Sequence, residues 1–159
     1  MSIGKIVTIK ELAQARDQFA GAGKRLVFTN GCFDILHVGH VRCLQMAREL
    51  GDGLAVAINS DDDVRQLKGP TRPIHSEADR AEVLAALGCV DYVVICDTVR
   101  FGEFFRTVRP QIYAKGGDYT PESLEASERA ALDAAGTEIR FIPFVPGHST
   151  SKIIAACQS

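Results

Sequence analysis

The sequence predicts an α/β protein, a Rossmann-like doubly wound five-stranded parallel sheet flanked by helices. Two observations carry that prediction. Five short apolar segments alternate with segments of helical character, the pattern of βαβ units joined by right-handed crossovers. The clearest of them, "LAVAIN" (54–59), is an unalternating apolar run, as expected of a strand covered on both faces. A chain of 159 residues without internal repeat, low-complexity tract or linker fits one domain with a single core.

The elements follow in order. Thr8 and Glu11 have capping-box spacing for a helix over roughly 9–20, which "GAG" (21–23) ends. "RLVFTN" (25–30) reads as the buried first strand. "VRCLQMARELG" (41–51) fits an amphipathic helix, with Gly51 as its C′ residue. After the second strand, 54–59, and a short helix, residues 77–87 read as a helix with Ser76 as N-cap. "YVVIC" (92–96) is the third strand. "RFGEFFRTV" (100–108) is a helix weakened by Gly102. "QIYAK" (111–115) and "EIRFIPF" (138–144) complete the sheet around a helix from about 121 to 135, and a last helix follows Ser149.

Composition excludes several functions. Apolar residues make up 46% and charged residues 24%, the ordinary globular range. A net charge of −2 gives no electrostatic reason for a nucleic-acid or membrane partner. The N-terminus lacks a signal-peptide h-region and no apolar stretch approaches membrane-spanning length, so the expected location is cytoplasmic. Cys32, Cys43, Cys89, Cys96 and Cys157 are odd in number and contain no C-x-x-C pair, which disfavours a disulfide framework or a zinc site. Neither a P-loop nor a G-x-G-x-x-G follows a strand, which disfavours a P-loop kinase or a nicotinamide dehydrogenase.

Chemistry concentrates in "TNGCFDILHVGH" (29–40), at the carboxyl end of the first strand, where doubly wound sheets bind ligands. His37 and His40 are three apart, nearly on one helix face, around Gly39. A zinc site would need one or two further ligands. Two buried structural histidines are the plainer alternative. A strand-to-helix junction favours anions through its backbone N–H groups and helix dipole, so phosphate binding is the preferred reading, with Gly39 leaving room for close approach.

The dodecamer resembles the opening motif of the H-x-G-H nucleotidyltransferases, the cytidylyltransferase-like superfamily. The similarity continues through "AINSDDDVRQLKGPTRPI" (57–74), "ADRAEVLAALGCVDYVV" (78–94), "AKGGDY" (114–119) and "PGHSTSKII" (146–154). In order and spacing these resemble the nucleotidyltransferase half of the bifunctional ADP-heptose synthases, over about residues 24–156. Because the first strand begins near residue 25, the expectation is a stand-alone heptose 1-phosphate adenylyltransferase without the kinase half.

The resemblance implies that a sugar 1-phosphate oxygen attacks the α-phosphate of ATP and expels pyrophosphate, catalysed by positioning and charge neutralisation. It implies His37, His40 and Lys68 as catalytic groups. Thr29, Asn30, Gly31, Cys32, Phe33, Asp34 and Gly39, with Ser149, Thr150 and Ser151, would line the nucleotide site. Asn59, Asp61, Arg72, Lys115, Gly116, Gly117 and Asp118 would face the sugar phosphate. Mg²⁺ or another divalent cation is the expected cofactor, and a homo-oligomer the expected assembly.

Each motif also has a plainer reading. Asp34 either helps hold the metal or orients a histidine, or it is only a helix-start carboxylate. Arg65, Lys68 and Arg72 lie in a Gly- and Pro-interrupted stretch that could swing over the cleft or be a solvated face. "KGGDY" could be a Gly-Gly turn, and the three hydroxyls at 149–151 an ordinary N-cap. The family commonly reads S-T-T here, so His148 and Ser151 depart from its pattern. His75 is expected to be structural, and Arg80 to lie behind the phosphates or on the surface. Glycerol phosphate cytidylyltransferases typically carry R-x-E-G before S-T-T and a tryptophan after the Gly-Asp segment, whereas this chain has "FVPG" and no Trp, which favours adenine. A cytidylyltransferase, another adenylyltransferase and a non-catalytic nucleotide-binding protein remain alternatives.

Overall fold

The computed structural model describes residues 5–97, 101–117, 120–143 and 145–159. Its strands are β1 (Leu26–Gly31), β2 (Gly53–Asn59), β3 (Tyr92–Cys96), β4 (Ile112–Gly116) and β5 (Glu138–Ile142), in one parallel sheet of order β3-β2-β1-β4-β5. The helices are α1 (Ile9–Gly21), α2 (Val38–Arg48), α3 (Asp61–Lys68), α4 (Glu77–Ala85), α5 (Phe101–Val108), α6 (Ala126–Ala135) and α7 (Thr150–Cys157). This is the doubly wound α/β class that the sequence predicts.

Alternation along the buried strands feeds two cores. Val27, Val56, Ile58 and Val93 face Leu44 of α2 and Leu84 of α4 on one side. Phe28, Ala55, Ala57 and Tyr113 face Leu12 of α1, Phe104 and Phe105 of α5 and Leu132 of α6 on the other. Burial on both faces explains why β2 reads as a continuous apolar run. Phe101, Phe104, Phe105 and Val108 share one buried stripe, and their packing outweighs the cost of Gly102 in α5.

β1 pairs with β2 along its whole length, through Gly31 opposite Ile58. Its pairing with β4 is limited to Val27–Ile112 and Phe28–Tyr113. The pairing goes no further than Phe28, and the order in which strands are added to the sheet reverses between β1 and β4. The crevice expected of such a switch point therefore opens between the carboxyl ends of β1 and β4.

Several boundaries differ from the sequence expectation for identifiable reasons. α2 starts at Val38 rather than 41, so His40 is helical and His37 is its extended N-cap. Gly51 is not a left-handed C′ residue. A Cβ there would stand 2.7 Å from the Arg25 carbonyl oxygen, so close approach between the α2–β2 turn and the start of β1 requires glycine. The expected helix over 121–135 is two pieces. Ser123 Oγ accepts from the Thr120 amide and donates to the Thr120 carbonyl, closing a 3₁₀ turn at Pro121–Ser123. Leu124 and Glu125 then run extended, burying Leu124 before α6 begins. β5 ends at Ile142 because Pro143 cannot donate to a ladder, and Phe144, expected at its end, lies outside the described residues.

The remaining ends follow their caps. Thr8 and Glu11 form the capping box of α1, and Ser60, Ser76 and Ser149 each accept a first-turn amide of α3, α4 and α7. No described helix is long and apolar enough to cross a membrane.

Candidate active site

The site is built where β1 ends. The chain leaves Gly31, turns through Phe33 in the left-handed region (φ 48°), and enters α2 with His37 at the N-cap. That turn lays the Phe33 ring over Gly31, where a Cβ would come within 2.9 Å of it, and 5.1 Å from the His40 ring. His37 and His40 stack at 3.8 Å between centroids with 22° between planes. Both Nδ1 atoms are buried without a hydrogen-bond partner among the described residues. Burial pushes His40 down to about 4, and the neighbouring His37 adds to this. His37 is also lowered, by burial and then by His148. Both rings are therefore neutral near pH 7.

His148 is the third ring of the row. It lies 6.2 Å from His37, with 24° between planes, on the loop that leads into α7. Gly39 makes this possible: a Cβ there would lie 2.9 Å from both His148 Cβ and His37 Nδ1. The glycine is thus required by the packing of two histidines on the α2 N-terminus, and not only by ligand approach. Thr150 Oγ1 donates to the Ile35 carbonyl at 3.1 Å, joining the start of α7 to the turn. Two helix N-termini, those of α2 and α7, therefore meet at one place, where their dipoles favour an anion. Of the three expected hydroxyls, Ser149 caps α7 by accepting from Lys152 N, Thr150 is tied to Ile35, and Ser151 is exposed.

Asp34 is neither a free metal ligand nor only a helix-start carboxylate. It is 3% exposed and accepts from the amides of Ile74 and His75 at 2.8 and 3.0 Å and from Arg72 Nε. Burial pushes its carboxyl up, but the His75 and Ile74 amides and Arg72 outweigh that and hold it below the ordinary carboxylate range. It latches the 72–75 loop onto the turn after β1. Its oxygens are committed, and among the described residues no group of three or more His, Cys, Asp or Glu is placed to hold a metal. The expected metal role for Asp34 does not fit this donor set. Arg72, expected to swing freely, is the other half of the latch.

Arg80 organises the same region from beneath. Only 2% exposed, it donates to the Cys32 carbonyl at 2.7 Å, the His75 carbonyl at 3.1 Å and Asp61 Oδ1 at 2.7 Å. Asn59 is buried between Cys32 Sγ at 3.6 Å and Asp63 at 3.5 Å. Asn59 and Asp61 are therefore engaged with the scaffold joining β1, β2 and α3. Lys68 is exposed at the C-terminal end of α3, close enough for its charge to act on the Cys32 thiol, whose pKa burial nevertheless raises. Arg65 pairs with Asp62 on the surface, as a solvated face would.

Across the crevice, Asn30 of β1 is linked to Lys115 of β4 through the Tyr113 hydroxyl. A Cβ on Gly116 would meet nothing within 4 Å, so the glycine borders open space, and Gly117 has a φ of 103°. Asp118 lies outside the described residues. Sequence reasoning passed over two residues here. Tyr113 sends its hydroxyl to Asn30 Oδ1 (2.7 Å) and Glu128 Oε1 (2.9 Å), and Lys115 Nζ donates to that hydroxyl at 3.1 Å. Tyr113 stands two residues before Lys115, and the sequence signal was only that adjacency. Glu128 gave none.

A parallel sheet whose strand order reverses between β1 and β4, with paired neutral histidines at a helix N-terminus beside that point, is a nucleotide-binding architecture. The chain belongs to the cytidylyltransferase-like family, whose model matches residues 28–156. It is 50% identical over 153 residues to the bifunctional protein HldE of Geotalea uraniireducens (strain Rf4), covering 96% of this chain and 31% of that protein. It is 52% identical over 132 residues to the HldE of Syntrophotalea carbinolica, covering 83% and 26%. The chain thus spans a third or less of the curated relatives it matches. Among solved structures it resembles the lipopolysaccharide core biosynthesis protein of Thermoplasma volcanium GSS1, with a TM-score of 0.64 and 26% identity over 77% of this chain and 98% of that one. A pantoate-beta-alanine ligase from Francisella tularensis, with a TM-score of 0.56 and 13% identity over 96% of this chain and 76% of that one, shares the fold.

Proposed function

We propose that this chain transfers the adenylyl group of ATP to D-glycero-β-D-manno-heptose 1-phosphate, giving ADP-heptose and pyrophosphate for lipopolysaccharide core synthesis. The observation that carries it is the stacked, neutral pair His37 and His40, each with a buried Nδ1 without a partner among the described residues, at the α2 N-terminus beside the crevice. Buried polar atoms without partners are rare in native proteins, and each calls for a structural or functional reason. Two rings 3.8 Å apart resist double protonation, so a polyphosphate against them supplies the negative charge that makes donation from both favourable.

In this mechanism an oxygen of the sugar 1-phosphate attacks the α-phosphorus of ATP. The new phosphorus–oxygen bond forms as the bond to the bridging α–β oxygen breaks, and pyrophosphate leaves with that oxygen. His37 and His40 donate to the α- and β-phosphates as charge grows on the bridging oxygen, and Lys68 closes over them. Thr29, Asn30 and the 31–33 turn line the nucleotide, while Lys115 and the 116–118 glycine segment take the acceptor. Chemistry of this kind is positioning and charge stabilisation, with no covalent enzyme intermediate.

Magnesium enters as part of MgATP, since that ion usually keeps several waters and rides on substrate phosphates. A cytoplasmic location and a homo-oligomer complete the reading. Similarity to the HldE proteins and to the Thermoplasma protein supports the sugar nucleotide product.

The test is pyrophosphate release from ATP, CTP or GTP with Mg²⁺, against β- and α-heptose 1-phosphate and glycerol 3-phosphate. Turnover with ATP and the β-heptose phosphate alone is expected. Turnover only with CTP would replace the substrates while keeping the mechanism, and no turnover with any pair would overturn the proposal.

A further inference from the structure

Tyr113 is fully buried in the core between the sheet and α5, packed against the tilted rings of Phe28 and Phe105. Phenylalanine would fill the same space without the cost of desolvating a hydroxyl. That hydroxyl meets Asn30 of β1, Glu128 of α6 and Lys115 of its own strand. Glu128 is 19% exposed although its neighbours Ser127 and Arg129 face solvent, so its carboxylate is turned inward. Lys115 Nζ lies 3.9 Å from Glu128 Oε1 and is itself only 15% exposed.

A phenol has one proton and two lone pairs, and Lys115 can only donate. The hydroxyl therefore accepts from Lys115 and gives its proton to Asn30 Oδ1 or to Glu128, never to both. When the proton is on Asn30, Glu128 depends on the Lys115 charge beside it. The ammonium thus has, among its partners, a phenol anchored in the core and a carboxylate on α6.

We propose that Tyr113 and Glu128 are positioning residues that hold the Lys115 ammonium ready for the phosphate of the acceptor. The inference rests on Lys115 binding that phosphate, as proposed above. A lysine on a flexible stem loses rotamer freedom when it grips an anion, and anchoring it beforehand removes that loss from the binding step.

The experiment is steady-state kinetics, with pyrophosphate release from ATP and β-heptose 1-phosphate, on Tyr113→Phe, Glu128→Gln, Lys115→Ala and the Tyr113→Phe/Lys115→Ala double variant. Tyr113→Phe and Glu128→Gln are each expected to raise the acceptor KM about tenfold, the scale of one hydrogen bond to a charged group, with the ATP KM within about twofold of wild type. In the Lys115→Ala background the Tyr113→Phe effect is expected to vanish, because the residue acts through the lysine; a purely structural role would add its full cost there. If Lys115→Ala raises the acceptor KM while Tyr113→Phe and Glu128→Gln do not, the positioning role is wrong and the site reading stands. If Lys115→Ala leaves that KM unchanged, the assignment of Lys115 falls and the positioning role falls with it. Should Tyr113→Phe unfold, Glu128→Gln, on the rim of the network, decides alone.

Discussion

His37 and His40 stack with their ring centroids 3.8 Å apart, and neither Nδ1 has a partner among the described residues. A protein of this size normally satisfies such atoms with a carbonyl or a carboxylate. Here the framework supplies neither at the N-terminus of α2, which supports the proposed ligand-binding role of the pair over a satisfied core.

His37→Ala is expected to lower kcat by roughly 10²–10³, the loss seen when one preorganised donor to a developing charge is removed. The same variant is expected to melt close to wild type, since the His37 side chain caps no amide of α2. Near-normal kcat in a folded variant would sink the phosphate-clamp account.

Stability is expected to fall with pH in a window set by His40. Its ordinary value of 6.5 is lowered to about 4 in the fold, so below 6.5 the unfolded chain binds the extra proton. The contribution is complete above 6.5 and is lost as pH falls toward 4, with His37 acting in the same direction. Asp34, held below its ordinary 3.8, loses its contribution only under that value. Melting temperatures between pH 7 and 4.5 check this, and His40→Asn should flatten the slope.

Gly39→Ala is expected to destabilise the protein by about 1–3 kcal/mol, the usual cost of overpacking. The new methyl has no space between His148 Cβ and His37 Nδ1, both 2.9 Å away. It should also lower kcat by displacing His37. Denaturant unfolding and turnover measured together separate the two effects.

Asp34→Ala is expected to cost about 3–5 kcal/mol in urea unfolding, because it leaves the largely buried Arg72 and the amides of Ile74 and His75 without their acceptor. A change below about 1 kcal/mol, the surface-pair range, would mean the 72–75 loop is not latched through this carboxylate.

Much of the architecture was legible in the chain because it depends on local pattern. The capping residues Thr8, Ser76 and Ser149 each start the helix expected of them. Apolar runs 54–59 and 92–96 became strands within a residue of the expected ends. The failures lie where a side chain answers to something distant. Gly51 looked like a helix stop and is a close contact with Arg25. The helix expected over 121–135 breaks because burying Leu124 requires extended backbone.

The sequence by itself determined the class of fold, the position of His37 and His40 at a strand-to-helix junction, and the cluster of cations and glycines around it. Hydrophobic period, caps and residue spacing are properties of neighbours in the chain, and neighbours are what a sequence displays. Only the tertiary structure decided which of those groups are free. Asp34 and Arg72 hold each other 38 residues apart, Arg80 reaches Cys32 across 48, and Tyr113 reaches Asn30 across 83. A buried charge or hydroxyl must find its partner wherever the fold brings one within about 3 Å, and that distance is not encoded in spacing along the chain.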